Sequence, residues 1–301
     1  MKPRRLLPGG THFVTRRTFE GIFRCVPLEE IKEILLFCMI HAANKFDIEI
    51  HGFCFMSNHY HLIVTDPHQN LSDFMRWMNQ NSSRCINHYL GRRGPIWAPE
   101  PFSSQELHYD EDILDKLVYT ICNPTQAQSV AHPSEWIGNI SLPEHFRNDY
   151  EFQAQRPKSF KEEGGTIPKT TSLKLTIPSI FESSEEFISE LETKIKIRCE
   201  EIADELKLEE KSFEGIENIC LDPNYRPENP YIDSEIDPRI ACKDKERRKE
   251  LLEGMIQFWK DHEESRQRVL KGVKDVRFPY GTNWWCRYGG MKCTKKPPGL
   301  A

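Results

Sequence analysis

The stretch Met56-Ser57-Asn58-His59-Tyr60-His61-Leu62-Ile63-Val64 holds the densest set of chemistry-bearing side chains in this sequence. Residues i and i+2 of a β-strand share a face, so His59 and His61 present two imidazoles side by side while Tyr60 points away. Two neutral imidazoles at that spacing suit one divalent metal. They equally suit a solvated strand face that binds nothing, because two ligands rarely complete a site.

A second set lies about 60 residues on. Ile113, Leu114, Leu117, Val118 and Ile121 form one apolar helical stripe, and at 100° per residue Tyr119 lies about 170° from its centre. A tyrosine used only for packing belongs on the stripe. Asn123 follows one turn later, roughly 40° from Tyr119, so one helix face offers a phenol and a carboxamide oxygen together. Pro124 puts Asn123 at the last helical position. The plainer alternative is an exposed tyrosine beside an Asn-Pro helix stop.

The elements that must position these groups follow from periodicity. THFVTRRT (11–18) reads as a strand after a Pro-Gly-Gly turn, and Pro27 starts a helix with Leu28, Ile31, Ile34, Leu35, Cys38 and Ala42 on one side. Residues 47–55 and 59–65 alternate as a hairpin around Met56-Ser57-Asn58. A long helix runs from Leu71 through Leu90 to the stop at Gly91. Residues 96–107 read as a strand despite Pro99 and Pro101, and Asp110 caps the helix that carries Tyr119. This order predicts an α+β fold: a ferredoxin-like antiparallel sheet covered by helices, over residues 1–150. Residues 151–238 read as an acidic, turn-rich and helical linker region with a helix at 185–210. Residues 239–301 read as a basic helix (243–271) and an aromatic tail, which together make the C-terminal extension mostly helical.

His59-Tyr60-His61 inside MSNHYHLIV, then LGRRGPIW, then LVYTICNPTQA, after the opening PRRLLPGGTHFVTRRT, resemble in order and spacing the single-tyrosine HUH transposases, including the IS200-like and REP-associated tyrosine transposases. The resemblance covers about residues 3–150. It implies a metal-dependent endonuclease and strand transferase acting on single-stranded DNA, often at hairpin ends. By position, His59 and His61 match the metal ligands, Tyr119 the nucleophile, and Asn123 the polar residue that completes the metal shell. His12 falls where the family often has a histidine on its first strand and is a secondary candidate. The segment after Asn123-Pro124 is less basic than is usual in the family, and the chain runs on well past where minimal members end.

Chemistry gives the same assignment an independent rationale. Mg²⁺ or Mn²⁺ on such a site would neutralise charge developing on the phosphate, and a tyrosine, with a reference pKa of about 10, needs nearby positive charge to act as a nucleophile. A phosphotyrosine bond conserves the phosphodiester energy, so a second strand end can reverse the step. DNA would need cations and flat side chains: Arg16, Arg17, Arg76, Arg84, Arg92 and Arg93 are the candidates in the core, and Arg277 to Tyr288 interleave basic and aromatic residues in the tail. That tail could equally be a cluster docking onto the core. Two other readings stay open: a non-catalytic hairpin-binding protein derived from such a transposase, and a phosphodiesterase that uses water.

Composition bounds these readings. The 301 residues are 38 % hydrophobic and 29 % charged, the balance of a globular protein. The longest apolar run, Ile34 to Ile40, is far short of a membrane helix, and the N-terminus lacks the apolar core of a signal peptide. The ten cysteines include no CxxC pair, which predicts free thiols in a reducing cytoplasm rather than a disulfide framework. The net charge of −5 hides a −11 stretch at 161–238 followed by +8 at 239–301, so the acidity of the whole does not exclude a nucleic-acid partner. Pairing of two chains that exchange the Tyr119 helix is also compatible with the family pattern.

Overall fold

The central strand of the main sheet, β1 (Gly10–Arg17), pairs antiparallel with β3 (His59–Asp66) on one side and with β4 (Ser103–Leu107) on the other. β2 (Glu49–Phe55) lies outside β3, and β7 (Ile240–Ala241), from far along the chain, runs parallel to β4, giving the order β2-β3-β1-β4-β7. The computed structural model describes residues 2–160, 166–178, 181, 183–228 and 239–296. The end of the predicted linker region at 151–238 is thus described only to residue 228.

Period-two alternation divides the strands between two cores. Val14, Tyr60, Leu62 and Val64 face α1 (Glu29–Phe46) and α2 (Leu71–Tyr89). Tyr60 is fully buried there, and its hydroxyl donates to Asn79 Oδ1 at 2.6 Å, which ties β3 to α2. Gly91 ends that helical segment at φ +61°, a conformation glycine adopts without a Cβ penalty. Phe13, Cys54 and Ile63 face the opposite side, against Leu114, Leu117 and Ile121 of α3 (Asp110–Ile121). α5 (Ser184–Leu208) backs α3 with Phe187, Leu191 and Ile195.

The remaining elements attach to this frame. β5 (Phe152–Gln155) and β6 (Thr170–Leu173) form a ribbon whose Phe152 and Ala154 join the α1 side of the core. α6 (Lys245–Leu270) packs Met255 and Phe258 on Ile240 of β7, while Leu252 is 39 % exposed. The tail contains β8 (Arg277–Phe278), α7 (Trp284–Arg287) and β9 (Lys292–Cys293). Among the described residues, no helix is long and apolar enough to cross a membrane.

The α+β architecture and the sheet match the sequence expectation, with four corrections. The strand expected at 96–107 is confined to Ser103–Leu107, because Pro99 and Pro101 remove ladder donors. Tyr109, not Asp110, occupies the N-cap of α3, and Asp110 is its first helical residue. Asn123 does not end α3, which stops at Ile121; it opens a separate turn, α4 (Asn123–Gln126), with Pro124 in a first-turn position that needs no N–H donor. Finally, Cys286 and Cys293 are disulfide-bonded, whereas all ten cysteines were expected free. The other eight are unbridged.

Gly52 sets how closely α3 approaches the sheet. It follows a bulge in the β2–β3 ladder, and a Cβ there would sit 2.5 Å from Leu117 Cδ2 and 3.3 Å from Ser141 Oγ. Leu117 is fully buried and has little room to withdraw. Gly52→Ala is expected to cost about 1–3 kcal/mol in chemical denaturation. An unchanged denaturation midpoint would mean that Leu117 repacks freely.

Candidate active site

Strand register brings the two histidines to a defined neighbourhood. Thr15 pairs with His61 and Arg17 with His59, so Phe13, Thr15 and Arg17 share the face that carries both imidazoles. The rings of His59 and His61 lie 4.9 Å apart, centroid to centroid. α3 crosses this same face. Its Tyr119 ring stands edge-on to His61 at 5.4 Å and to Phe13 at 5.8 Å, and Phe13 in turn stacks on His61 at 5.1 Å. Tyr119 remains 42 % exposed, as its place off the apolar stripe predicted. The buried Asn123, at the start of α4, puts its Oδ1 3.1 Å from His59 Nε2. One chain thus gathers the four groups without exchange of a helix.

Hydrogen bonds on the far side of each ring fix its orientation. His59 Nδ1 lies 2.7 Å from Asn58 Oδ1, which can only accept, so Nδ1 donates and Nε2 keeps its lone pair. That lone pair then faces another acceptor, Asn123 Oδ1. Two acceptors 3.1 Å apart are what a shared cation would reconcile, since an octahedral ion with bonds of about 2.1 Å sets adjacent donors about 3.0 Å apart. His61 Nδ1 lies 2.9 Å from Thr15 Oγ1, a hydroxyl that can donate or accept, and this bond holds the ring with its Nε2 turned the other way. Two imidazole nitrogens and a carboxamide oxygen make a half-filled donor set suited to Mn²⁺ or Mg²⁺ with open positions for water or phosphate. Among the described residues, no group of three or more His, Cys, Asp or Glu side chains could hold a metal.

Electrostatics keep the imidazoles neutral. Burial, with the charge of Arg17, lowers the His59 pKa to about 4 against a small opposing contribution from Asn123. Burial, then His59, Lys116 and Arg17, lowers that of His61 well below its ordinary value. Burial raises the Tyr119 phenol, and Arg17 opposes it. Lys116 Nζ lies 4.7 Å from the Phe13 ring centre and 5.3 Å from that of Tyr119. Tyr119 and Lys116 border a cleft of about 590 Å³ between α3, α5 and the start of the basic region, where Lys194, Lys243 and Arg248 also line the wall.

The other expected site residues disperse. His12 is buried on the opposite sheet face, with Nδ1 3.2 Å from Ser104 Oγ, and so cannot join the imidazole pair. Arg16 faces the same way as His12 and donates to the carbonyls of Ala98 and Glu100. Arg76 pairs with Asp73, and Arg92 bonds Asn87. Arg84 and Arg93 are exposed on and after α2. Only Arg17 of these cations stands at the histidines. Sequence reasoning missed Thr15, Asn58 and Lys116. Asn58 directly precedes His59, and Lys116 lies one turn before Tyr119, so local spacing could have suggested both.

Buried neutral histidines make stability depend on pH. Burial lowers the pKa of His12 and His51 as it does for His59 and His61. In the unfolded chain these groups take protons near pH 6.5, but in the folded state they resist to lower pH. The unfolded state therefore binds more protons, and stability falls as pH drops below 6.5, by up to about 1.4 kcal/mol per pH unit for each such group. Thermal unfolding is expected at a clearly lower temperature at pH 5 than at pH 7. A flat profile over that range would count against buried neutral imidazoles.

Fold and site together define an α+β protein that sets a strand-borne histidine pair against a helix-borne tyrosine on one face of its sheet. Residues 24–105 match the family profile described as "Transposase IS200 like". The matched stretch includes His59 and His61 and ends before Tyr119 and Asn123. Solved structures similar to this chain include a REP-associated tyrosine transposase bound to a REP hairpin, at 22 % identity over 45 % of this chain and 79 % of that one, TM-score 0.39. Another is a suggested transposase of Deinococcus radiodurans R1, at 16 % identity over 38 % of this chain and 93 % of that one, TM-score 0.29. No curated protein matches the chain.

Proposed function

We propose that this protein is a metal-dependent DNA strand transferase that cuts and rejoins single-stranded DNA at hairpin ends through a covalent phosphotyrosine. The observation that carries this reading is the meeting of Tyr119, His59, His61 and Asn123 on one sheet face. His59, His61 and Asn123 would hold Mg²⁺ or Mn²⁺, which when bound acts as a Lewis acid toward the phosphate.

The chain's own groups do the rest. Tyr119 Oη loses its proton and attacks phosphorus in line. A phosphorus–oxygen bond of the DNA breaks, a phosphotyrosine bond forms, and the departing DNA oxygen takes up a proton. The positive charges of Arg17 and Lys116 beside the phenol favour its ionised form, against the burial that opposes it. A second DNA hydroxyl then attacks the phosphotyrosine, restores the phosphodiester and releases Tyr119. Asn58 and Thr15 keep the imidazoles turned with Nε2 inward throughout.

The test is incubation with single-stranded hairpin oligonucleotides and Mg²⁺ or Mn²⁺, followed by denaturing electrophoresis. A metal-dependent covalent species is expected. Cleavage without an adduct would replace this reading with a water-using phosphodiesterase, and binding without cleavage would replace it with a passive hairpin reader.

A further inference from the structure

The aromatic tail is firmly docked, yet it leaves large rings uncovered. Phe278 is fully buried, with Trp285 stacked on it at 5.3 Å. Gly281 O accepts from Leu6 N, Asn283 Nδ2 donates to Gln69 O at 2.7 Å, and Arg287 bonds Asn70 Oδ1 at 2.6 Å. On this anchored segment Trp284 is 61 % exposed and Tyr288 49 %, although burying large apolar rings is favourable. Both rings edge a cleft of about 890 Å³ between the tail, α2 and α6. Among the described residues, Lys2, Arg4, Arg76, Arg239 and Arg266 line it with the carboxylates Asp73 and Glu263, which pair with Arg76 and Arg266.

This cleft is remote from the histidines. The tail grips residues 69–73, just past the Asp66 end of β3, whereas His59 starts that strand; eight residues of strand separate them by about 23 Å. It also lies on the α2 side of the sheet, with Tyr119 on the other. The acidic helix α5 packs on α3 and so does not cover it.

We propose that this cleft is a second, non-catalytic site for single-stranded DNA, in which bases stack on Trp284 and Tyr288 while phosphates run along the cationic wall. A preformed aromatic platform inside an excess of positive charge is the arrangement that binds single strands without reading sequence. The choice of DNA as ligand rests on the strand-transferase reading; the platform itself does not. A strand held here would keep flanking DNA on the protein while Tyr119 works elsewhere.

The experiment is fluorescence anisotropy of a labelled dT12 oligonucleotide with the full chain, without metal, beside the hairpin adduct assay on the same preparation. Trp284→Ala is expected to weaken dT12 binding about tenfold, with Trp284→Phe recovering most of the loss. Arg266→Ala is expected to lower the slope of log affinity against log salt by about 0.7. Because Trp284 projects into solvent, its variants should melt like the parent. Wild-type dT12 affinity in Trp284→Ala would overturn the proposal, as would equal displacement by oligoglutamate of matched length, whether or not the adduct forms. Loss of the adduct alone, with the dT12 effects intact, would sink the transferase reading and leave this site standing.

Discussion

Tyr119→Phe is expected to abolish the covalent protein–DNA species, with at least a roughly thousandfold fall in metal-dependent strand cleavage. The substitution removes one oxygen and keeps the ring, so the edge contacts to His61 and Phe13 survive, and so should the fold. Thermal melts should coincide with the parent. The size of the effect follows from the role: without the phenol no atom on this face of α3 can form the ester. An adduct that persists in this variant, mapped by peptide mass to another tyrosine, would move the nucleophile and undo the assignment.

His59→Ala and His61→Ala are each expected to reduce adduct formation at least about a hundredfold and to weaken Mn²⁺ binding measured by calorimetry at pH 7.5. Hairpin DNA binding should stay within about tenfold, because phosphate and stacking contacts dominate that affinity. The two variants differ structurally. His59 is half-buried at the edge of the sheet face, whereas His61 lies under Tyr119 and Phe13, so its loss also opens a small hole beneath the phenol. His59→Ala is therefore the cleaner probe of metal binding. Parallel loss of DNA affinity and cleavage in His59→Ala would show that the imidazole serves the DNA directly.

Strand and helix periodicity made most of this architecture legible in advance. The hairpin bearing His59 and His61 was readable because alternation and a tight turn are local signals, and Tyr119 stood out because it breaks the stripe of its own helix. The stretch 96–102 was not, since its proline-bearing sequence still alternates like a strand, yet its pairing with the β1 extension shrinks to the isolated Thr18–Trp97 bridge. His12 shows a different limit. A position on the right strand is not enough when neighbouring residues point to opposite faces, and the pairing of Phe13 with Ile63 puts His12 on the wrong one. Local sequence also could not reveal that Arg16 is spent on the carbonyls of Ala98 and Glu100, or that Cys286 meets Cys293.

The two-residue strand β7 has an outsized consequence. Ile240 and Ala241 lie against Glu106 and Leu107, and Glu106 N donates to Arg239 O at 2.7 Å, so a segment some 130 residues downstream occupies the margin of the main sheet. A chain trimmed after the β5–β6 ribbon would leave β4 with bare backbone donors and acceptors and would strip the α5 cover from α3, an invitation to edge-to-edge self-association. The C-terminal extension thereby closes what would otherwise be an open edge of the main sheet, and a form shortened before β7 is expected to self-associate along that edge.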